Sequence, residues 1–402
     1  VSDTNYGPLT GVRVLDISTM IAGPYGASLL GDLGAEIIKI ELPGKGDTSR
    51  NVGPWKGEEP LRWPGLSRNK KSLTLDFHKE EGKEIFKELV KKSDVVLEGF
   101  RPGTLEKWGL GYDVLKEINP GLILTRQSAY GQTGPYANRP GFGTPSTAFS
   151  GYTYLHGFQD RHPVSPAFSL LDYISGVYMA FGTVSALYYR DNSELKKGQI
   201  VEMGLYESMF RMMEFLIAEF DQLGKVRERS PMLSGHSSPS GTYKTKDEAW
   251  VVLVCSTQKT WERLAHSMNR ADLIDHPQFL TNKERLANDD ELQVIVKAFM
   301  ESFSRKDLLK RMEEYDVPVS PVLSIKDIFE NPQYEARNNI VEIDHPRLGK
   351  IKIPGVVPNF SETPGSIRHR APDLGENNEE ILGEFLGLSK DKINSLKKNG
   401  VI

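Results

Sequence analysis

Over its first 130 residues the chain switches repeatedly between two periodicities, and that alternation restricts the fold more than any other feature. Residues 12–17 form a short apolar run, 23–34 read as a helix of small residues, and EIIKIE at 36–41 alternates as a strand. SLTLD at 72–76 is a second strand pattern, followed by a Lys/Glu-rich amphipathic helix over 79–92 and the strand DVVL at 94–97. A helix over 108–119 and a strand over 122–125 complete the series. Strands separated by crossover helices predict an α/β fold, with a Rossmann-like large domain built on a mostly parallel sheet. The first strand is followed by AGPYGASLLG, which lacks GxGxxG spacing and argues against a nicotinamide cofactor.

The composition then changes. Residues 199–224 read as one long Met-rich helix, 230–241 as a mobile Ser/Pro/Gly loop, and 242–257 as a hairpin. Helical segments over 261–315 predict a smaller α+β domain, and extended segments return after residue 322. The expected organisation is a large domain over 1–200, a linker helix over 201–228, a small domain over 229–320 and a return to the large domain over 321–402. A net charge of −4 across 402 residues argues against a nucleic-acid partner or an anionic membrane surface. Cys255 is the single cysteine, and VSDTNYGPLTGVRVLDIS lacks a basic-then-apolar leader pattern, so a reducing, cytoplasmic setting is expected. The histidines fall at no metal-ligand spacing, and no GxSxG elbow occurs.

Residues 163–189 carry one charge, Asp172, in an apolar run broken by Gly176 and Gly182. Four tyrosines and several serines favour a buried helix there over a membrane span. A carboxylate in that setting is either a helix cap or a nucleophile. At a helix start it is expected to stay ionised through the dipole and backbone N–H groups. Basic residues gather at three strand ends: Arg68, Lys70 and Lys71 beside Asn69; Arg101 in EGFRPG; and Lys39, Lys45 and Arg50. Positive groups at successive strand ends favour a phosphorylated ligand.

The blocks AGPYGASLLGDLGAEIIKIELPGKGD, RNKKSLTLD, DVVLEGFRPGTLEKWGLGYDVL, NPGLILTRQSAYGQTGP, LLDYISGVYMAFG and VPVSPVLSIKDIFENPQ occur in an order that resembles the class III CoA-transferases, the family that includes the α-methylacyl-CoA racemases. The resemblance spans nearly the whole chain. It implies a two-domain subunit in an interlinked homodimer, no permanently bound cofactor, and coenzyme A as substrate. It implies Asp172 as the nucleophile that accepts the acyl group and then CoA, passing it to a carboxylic acid such as a short dicarboxylic acid. It also implies CoA contacts at Asn69, Lys70, Lys71, Gly99, Phe100, Arg101 and Lys107. Tyr130 and Gln132 are implied near the thioester, and a loop at Gly235, His236, Ser237 and Ser238 over the site. Racemases of the family carry a His-Asp pair where this chain has Phe142 and Gly143, which favours transfer over racemisation; a non-catalytic acyl-CoA-binding role is the alternative from a different class. The oxalate-using branch has a glutamine where Ile21 stands. His236, Arg139, Arg161 and Arg211 are candidates for meeting a second carboxylate.

Overall fold

In the computed structural model, residues 7–231 and 236–402 are described. They divide into two compact units, one of residues 1–155, 163–227 and 336–402 and the other of 156–162 and 228–335. The second unit therefore ends later than residue 320 and includes a short segment from far upstream.

The first unit is organised by six parallel strands: β1 (Arg13–Asp16), β2 (Glu36–Glu41), β3 (Lys70–Thr74), β4 (Val95–Glu98), β5 (Ile123–Ser128) and β6 (Ile200–Gly204). Their spatial order is 3-2-1-4-5-6, the doubly wound order whose switch point lies between β1 and β4. Parallel strands are buried on both faces. Leu15, Ile38, Ile40, Val96 and Leu124 point to a core completed by α2 (Glu80–Lys91), α3 (Tyr112–Ile118) and the C-terminal Leu382 and Leu396. Val14, Ile37, Val95, Leu97 and Ile123 point to the opposite core, beneath α1 (Ala22–Asp32) and α5 (Leu170–Asn192). Between β5 and α5 runs the short helix α4 (Gly143–Phe149).

Helix α5 begins seven residues inside the apolar run and is buried on one face only. Leu171, Ser175, Gly176, Met179, Thr183 and Leu187 face inward. Val177, Phe181, Val184 and Tyr188 form an outward stripe at helical spacing, with Phe181 68% and Tyr188 73% exposed. The helix is long and apolar enough to cross a membrane, but its inner face is fitted to α1. A β-carbon on Gly176 would meet the Ala22 carbonyl at 2.7 Å, and one on Gly26 would meet the Gly176 carbonyl at 2.9 Å. Glycines at this crossing let the two backbones approach.

The long helix expected over 199–224 is instead a strand and two helices. Residues 200–204 form β6 on the sheet edge, followed by α6 (Leu205–Met212) and α7 (Glu214–Leu223). In IVEMG, Val201 and Met203 pack against the core below α5, as a strand requires. No linker helix occupies 201–228.

The second unit contains the antiparallel strands β7 (Ser240–Lys244), β8 (Trp250–Val254) and β9 (Val319–Pro321). They pack on α8 (Gln258–Ser267), α9 (Asp289–Glu301) and α10 (Arg305–Glu314) around Trp261, Leu264, Phe279 and Val296. Buried Cys255 belongs to this core.

Candidate active site

The C-terminal ends of the parallel strands surround a cavity of about 700 Å³. Ile17, Ile40, Leu75, Phe77, Phe100 and Trp108 form its apolar wall, and Thr19, Lys45, Thr48, Asn51 and His78 its polar side. The Phe100 ring meets Trp108 edge-on, with centroids 5.2 Å apart. Between β1 and α1 the backbone turns sharply at Met20, which has φ 71° and donates its N–H to Asp47 Oδ1 at 3.1 Å. Thr19, in this turn, lines the cavity, while Ala22 packs against Gly176, one helical turn after Asp172. The β1–α1 turn thus connects the cavity to the start of α5.

Asp172 is the third residue of α5, and the N-cap Ser169 makes no side-chain capping bond. Burial pushes the Asp172 carboxyl up to about 6, against the opposing effects of the Arg62 charge and its own backbone N–H. The helix start therefore does not hold this group at an ordinary acidity. Desolvation prevails and leaves a carboxylate that is still mainly ionised at neutral pH but unusually basic. Opposite it lies Gly143, the first residue of α4. A β-carbon there would stand 2.0 Å from Asp172 Oδ2, so the carboxylate occupies the space of a missing side chain. Arg62 Nη1 lies 3.4 Å from the Tyr173 hydroxyl, and Tyr173 packs edge-on against Tyr25 of α1, centroids 4.8 Å apart.

The residues expected to bind CoA fall into two groups. Asn69, Lys70 and Lys71 hold the fold together. Asn69, with φ 59°, donates to Asp32 and to the Ser366 carbonyl, both at 2.8 Å, and accepts from the backbone N–H of Arg368 and His369. Lys70 is buried, with Nζ 3.0 Å from Asp16 Oδ2 and 2.7 Å from the Pro24 carbonyl. Lys71 bridges Glu36 and Glu380. Buried Lys39 lies 2.9 Å from Asp47 Oδ2 and 3.6 Å from Asp16 Oδ1. Burial pushes Asp16 up, but the Lys39 and Lys70 charges more than offset it and hold the carboxyl below its usual range. Arg50 and Arg68 are likewise paired, with Glu41 and Asp32. A phosphate would have to compete with these internal carboxylates.

The second group faces outward. Phe100 is in the cavity wall, and Lys45 lines the rim. A β-carbon on Gly99 would make only ordinary contacts, with Ser18 Cβ at 3.7 Å and the Gln127 carbonyl at 4.0 Å. Arg101 is exposed on the following loop, and Lys107 is exposed at the end of the short helix Thr104–Lys107 after it. That loop is tied back by Glu98, which accepts from Phe100 N–H at 2.5 Å and from Arg126 Nε at 2.8 Å. Tyr130 lies beside Gly141 and packs against Phe149, centroids 5.0 Å apart, in an aromatic group with Tyr136 and Tyr206. Gln132 donates its backbone N–H to Glu202, and its side-chain Nε2 is buried with no hydrogen-bond partner.

Gly235 lies outside the described residues. His236, Ser237 and Ser238 are in the second unit, and this part of the expected mobile loop is anchored. Asn282 bonds the His236 carbonyl and the Ser238 N–H, Arg285 bonds the Ser238 carbonyl, and Ser237 Oγ meets Ser240 Oγ at 3.0 Å. Of the other carboxylate candidates, Arg139 stacks on Tyr136 at 3.7 Å, whereas Arg161 and Arg211 are exposed beside Asp160 and Glu214. The charged group facing Asp172 is Arg62, which the sequence reading missed. It stands 110 positions away in the polar segment EEPLRWPG, with nothing in spacing or composition to connect the two.

The first unit thus combines a doubly wound sheet, a cavity at its strand ends and, at the start of α5, a half-buried carboxylate of raised basicity. The profile of CoA-transferase family III matches residues 9–378, and the chain belongs to that family. It is 43% identical to the succinyl-CoA–L-malate CoA-transferase beta subunit of Chloroflexus aurantiacus, over 98% of each chain. The alpha subunit from that organism is 40% identical, over 98% of this chain and 92% of the relative. A CaiB/BaiF family protein from Brucella suis has the same fold, with a TM-score of 0.82 at 31% identity, covering 94% of this chain and 99% of that one. The protein is a CoA-transferase.

Proposed function

We propose that this enzyme moves CoA from succinyl-CoA to a short dicarboxylic acid of the malate type, with Asp172 carrying the acyl group and the CoA in turn. The Asp172 carboxylate attacks the thioester carbonyl, forming a succinyl-aspartyl anhydride and expelling CoA thiolate. The thiolate attacks the aspartyl carbonyl of that anhydride, releasing succinate and leaving an aspartyl-CoA thioester. The acceptor carboxylate attacks this thioester, re-forming an anhydride and freeing the thiolate. Attack on the acceptor's acyl carbon then yields the new acyl-CoA and restores Asp172.

The observation that carries this reading is the setting of Asp172: partly desolvated, raised in basicity and seated over a glycine whose missing side chain makes room for the carboxylate. CoA enters as substrate, its nucleotide in the strand-end cavity near Lys45, Phe100 and Arg101, its pantetheine arm crossing the β1–α1 turn. Phe142, in place of a histidine, leaves no second acid–base group for α-proton exchange. The apolar stripe on α5 supports assembly with a second copy, which light scattering on the purified protein would test.

The experiment is incubation with succinyl-CoA and hydroxylamine, followed by peptide mass spectrometry. A hydroxamate on Asp172, and transfer reduced at least about 10⁴-fold in a folded Asp172→Ala variant, are the expected results. An active Asp172→Ala enzyme would refute the mechanism.

A further inference from the structure

Five arginines of the first unit have carboxylate partners: Arg13 with Glu36, Arg50 with Glu41, Arg68 with Asp32, Arg126 with Glu98 and Arg190 with Asp94, all between 2.6 and 2.8 Å. Arg62 breaks that pattern. Among the described residues no carboxylate lies within 4 Å of its guanidinium, its Nε is buried with no hydrogen-bond partner, and its one side-chain contact is the long one to Tyr173. Buried guanidinium donors left unfilled are costly, so an isolated Arg62 points to a partner that arrives with the substrate.

We infer that Arg62 forms a carboxylate subsite that receives the distal carboxylate of a dicarboxylic acyl group while the reacting carbonyl lies at Asp172. The inference rests on the reading of Asp172 as the acyl acceptor. Arg62 reaches the residue next to Asp172, yet stands outside ion-pair distance of Asp172 itself. Arg62 meets the Tyr173 hydroxyl, and the Asp172 carboxylate rests over side-chain-free Gly143. A succinyl group joined to Asp172 ends two methylenes away in a second anion. Holding that anion near a buried carboxylate is unfavourable unless a cation stands between or beyond them. The guanidinium fork matches a carboxylate in charge and shape, and the Tyr173 hydroxyl offers it a further donor. Neutral acyl groups of the same length would leave Arg62 unfilled, so the subsite selects dicarboxylic acyl-CoA esters over monocarboxylic ones.

The test compares succinyl-CoA with butyryl-CoA, its uncharged counterpart of equal chain length, as donors in hydroxylamine-driven CoA release, which requires no acceptor. At pH 8 Asp172 is ionised in the parent, and the comparison of two donors within each variant cancels any change in its basicity. The parent is expected to favour succinyl-CoA. In Arg62→Gln, kcat/KM for succinyl-CoA should fall roughly 30- to 100-fold while that for butyryl-CoA changes about threefold or less, and Arg62→Lys should recover part of the preference. An unchanged succinyl-to-butyryl ratio in Arg62→Gln would overturn the inference, and so would equal losses for both donors in a variant that melts like the parent. A parent that releases CoA from neither donor would refute the transfer reading and this subsite with it.

Discussion

Two sets of charges in the first unit are treated in opposite ways. Around β1, β2 and β3, Asp16, Lys39, Asp47 and Lys70 are buried and mutually neutralised, each oxygen and nitrogen engaged with another part of the chain. Around α4 and α5, Asp172 and Arg62 are half-buried and lie outside ion-pair distance of each other. The first arrangement fixes the strand ends and the β1–α1 turn. The second leaves charge unneutralised where a substrate can take it up. Burial alone does not mark a reactive group; burial without a partner does.

The contrast can be attacked from either side. Lys70→Met leaves Asp16 with one cation in a dry site, and the protein should lose about 3 kcal/mol of stability, read as a lower denaturant midpoint. If Lys70 instead served CoA, stability would hold and KM would rise. Gly143→Ala forces a methyl group into the space of the Asp172 carboxylate, and kcat should drop roughly 30-fold with little change in melting. Full activity in that variant would mean the carboxylate works from another position. Asp172→Asn should stabilise the fold at pH 8 by about 1–2 kcal/mol, since a carboxyl raised to about 6 favours the folded state below about pH 4 and loses that contribution as pH rises through 6. The gain should vanish at pH 4, which paired melts at the two pH values would reveal. Lys45→Ala should raise KM for acyl-CoA roughly fivefold and leave the melting temperature in place.

Much of the sheet was legible because each strand carries its own apolar pattern, and EIIKIE was bounded to the residue. The basic cluster was legible only as composition. The third strand starts at Lys70, two residues earlier than SLTLD suggested, and strand alternation sends Lys70 inward while Lys71 stays half-exposed. Had that register been seen, Lys70 would have read as a core charge in need of a partner. The edge strand β6 was hidden because IVEMG runs directly into an amphipathic helix, and a strand with one neighbour needs little apolar length. Asp172 was visible as an isolated charge in an apolar run. Its raised basicity was not, because desolvation depends on the chain folding Gly143 and Tyr173 around it.

Gly143 carries the consequence furthest from view. Every single-residue replacement there introduces a β-carbon, and every β-carbon collides with the Asp172 carboxylate. The position contributes no side chain to the site, yet any side chain placed there displaces the carboxylate at the start of α5. In a mutational survey scored by CoA transfer, a residue defined by what it lacks should lose activity with every substitution, though less deeply than Asp172 itself.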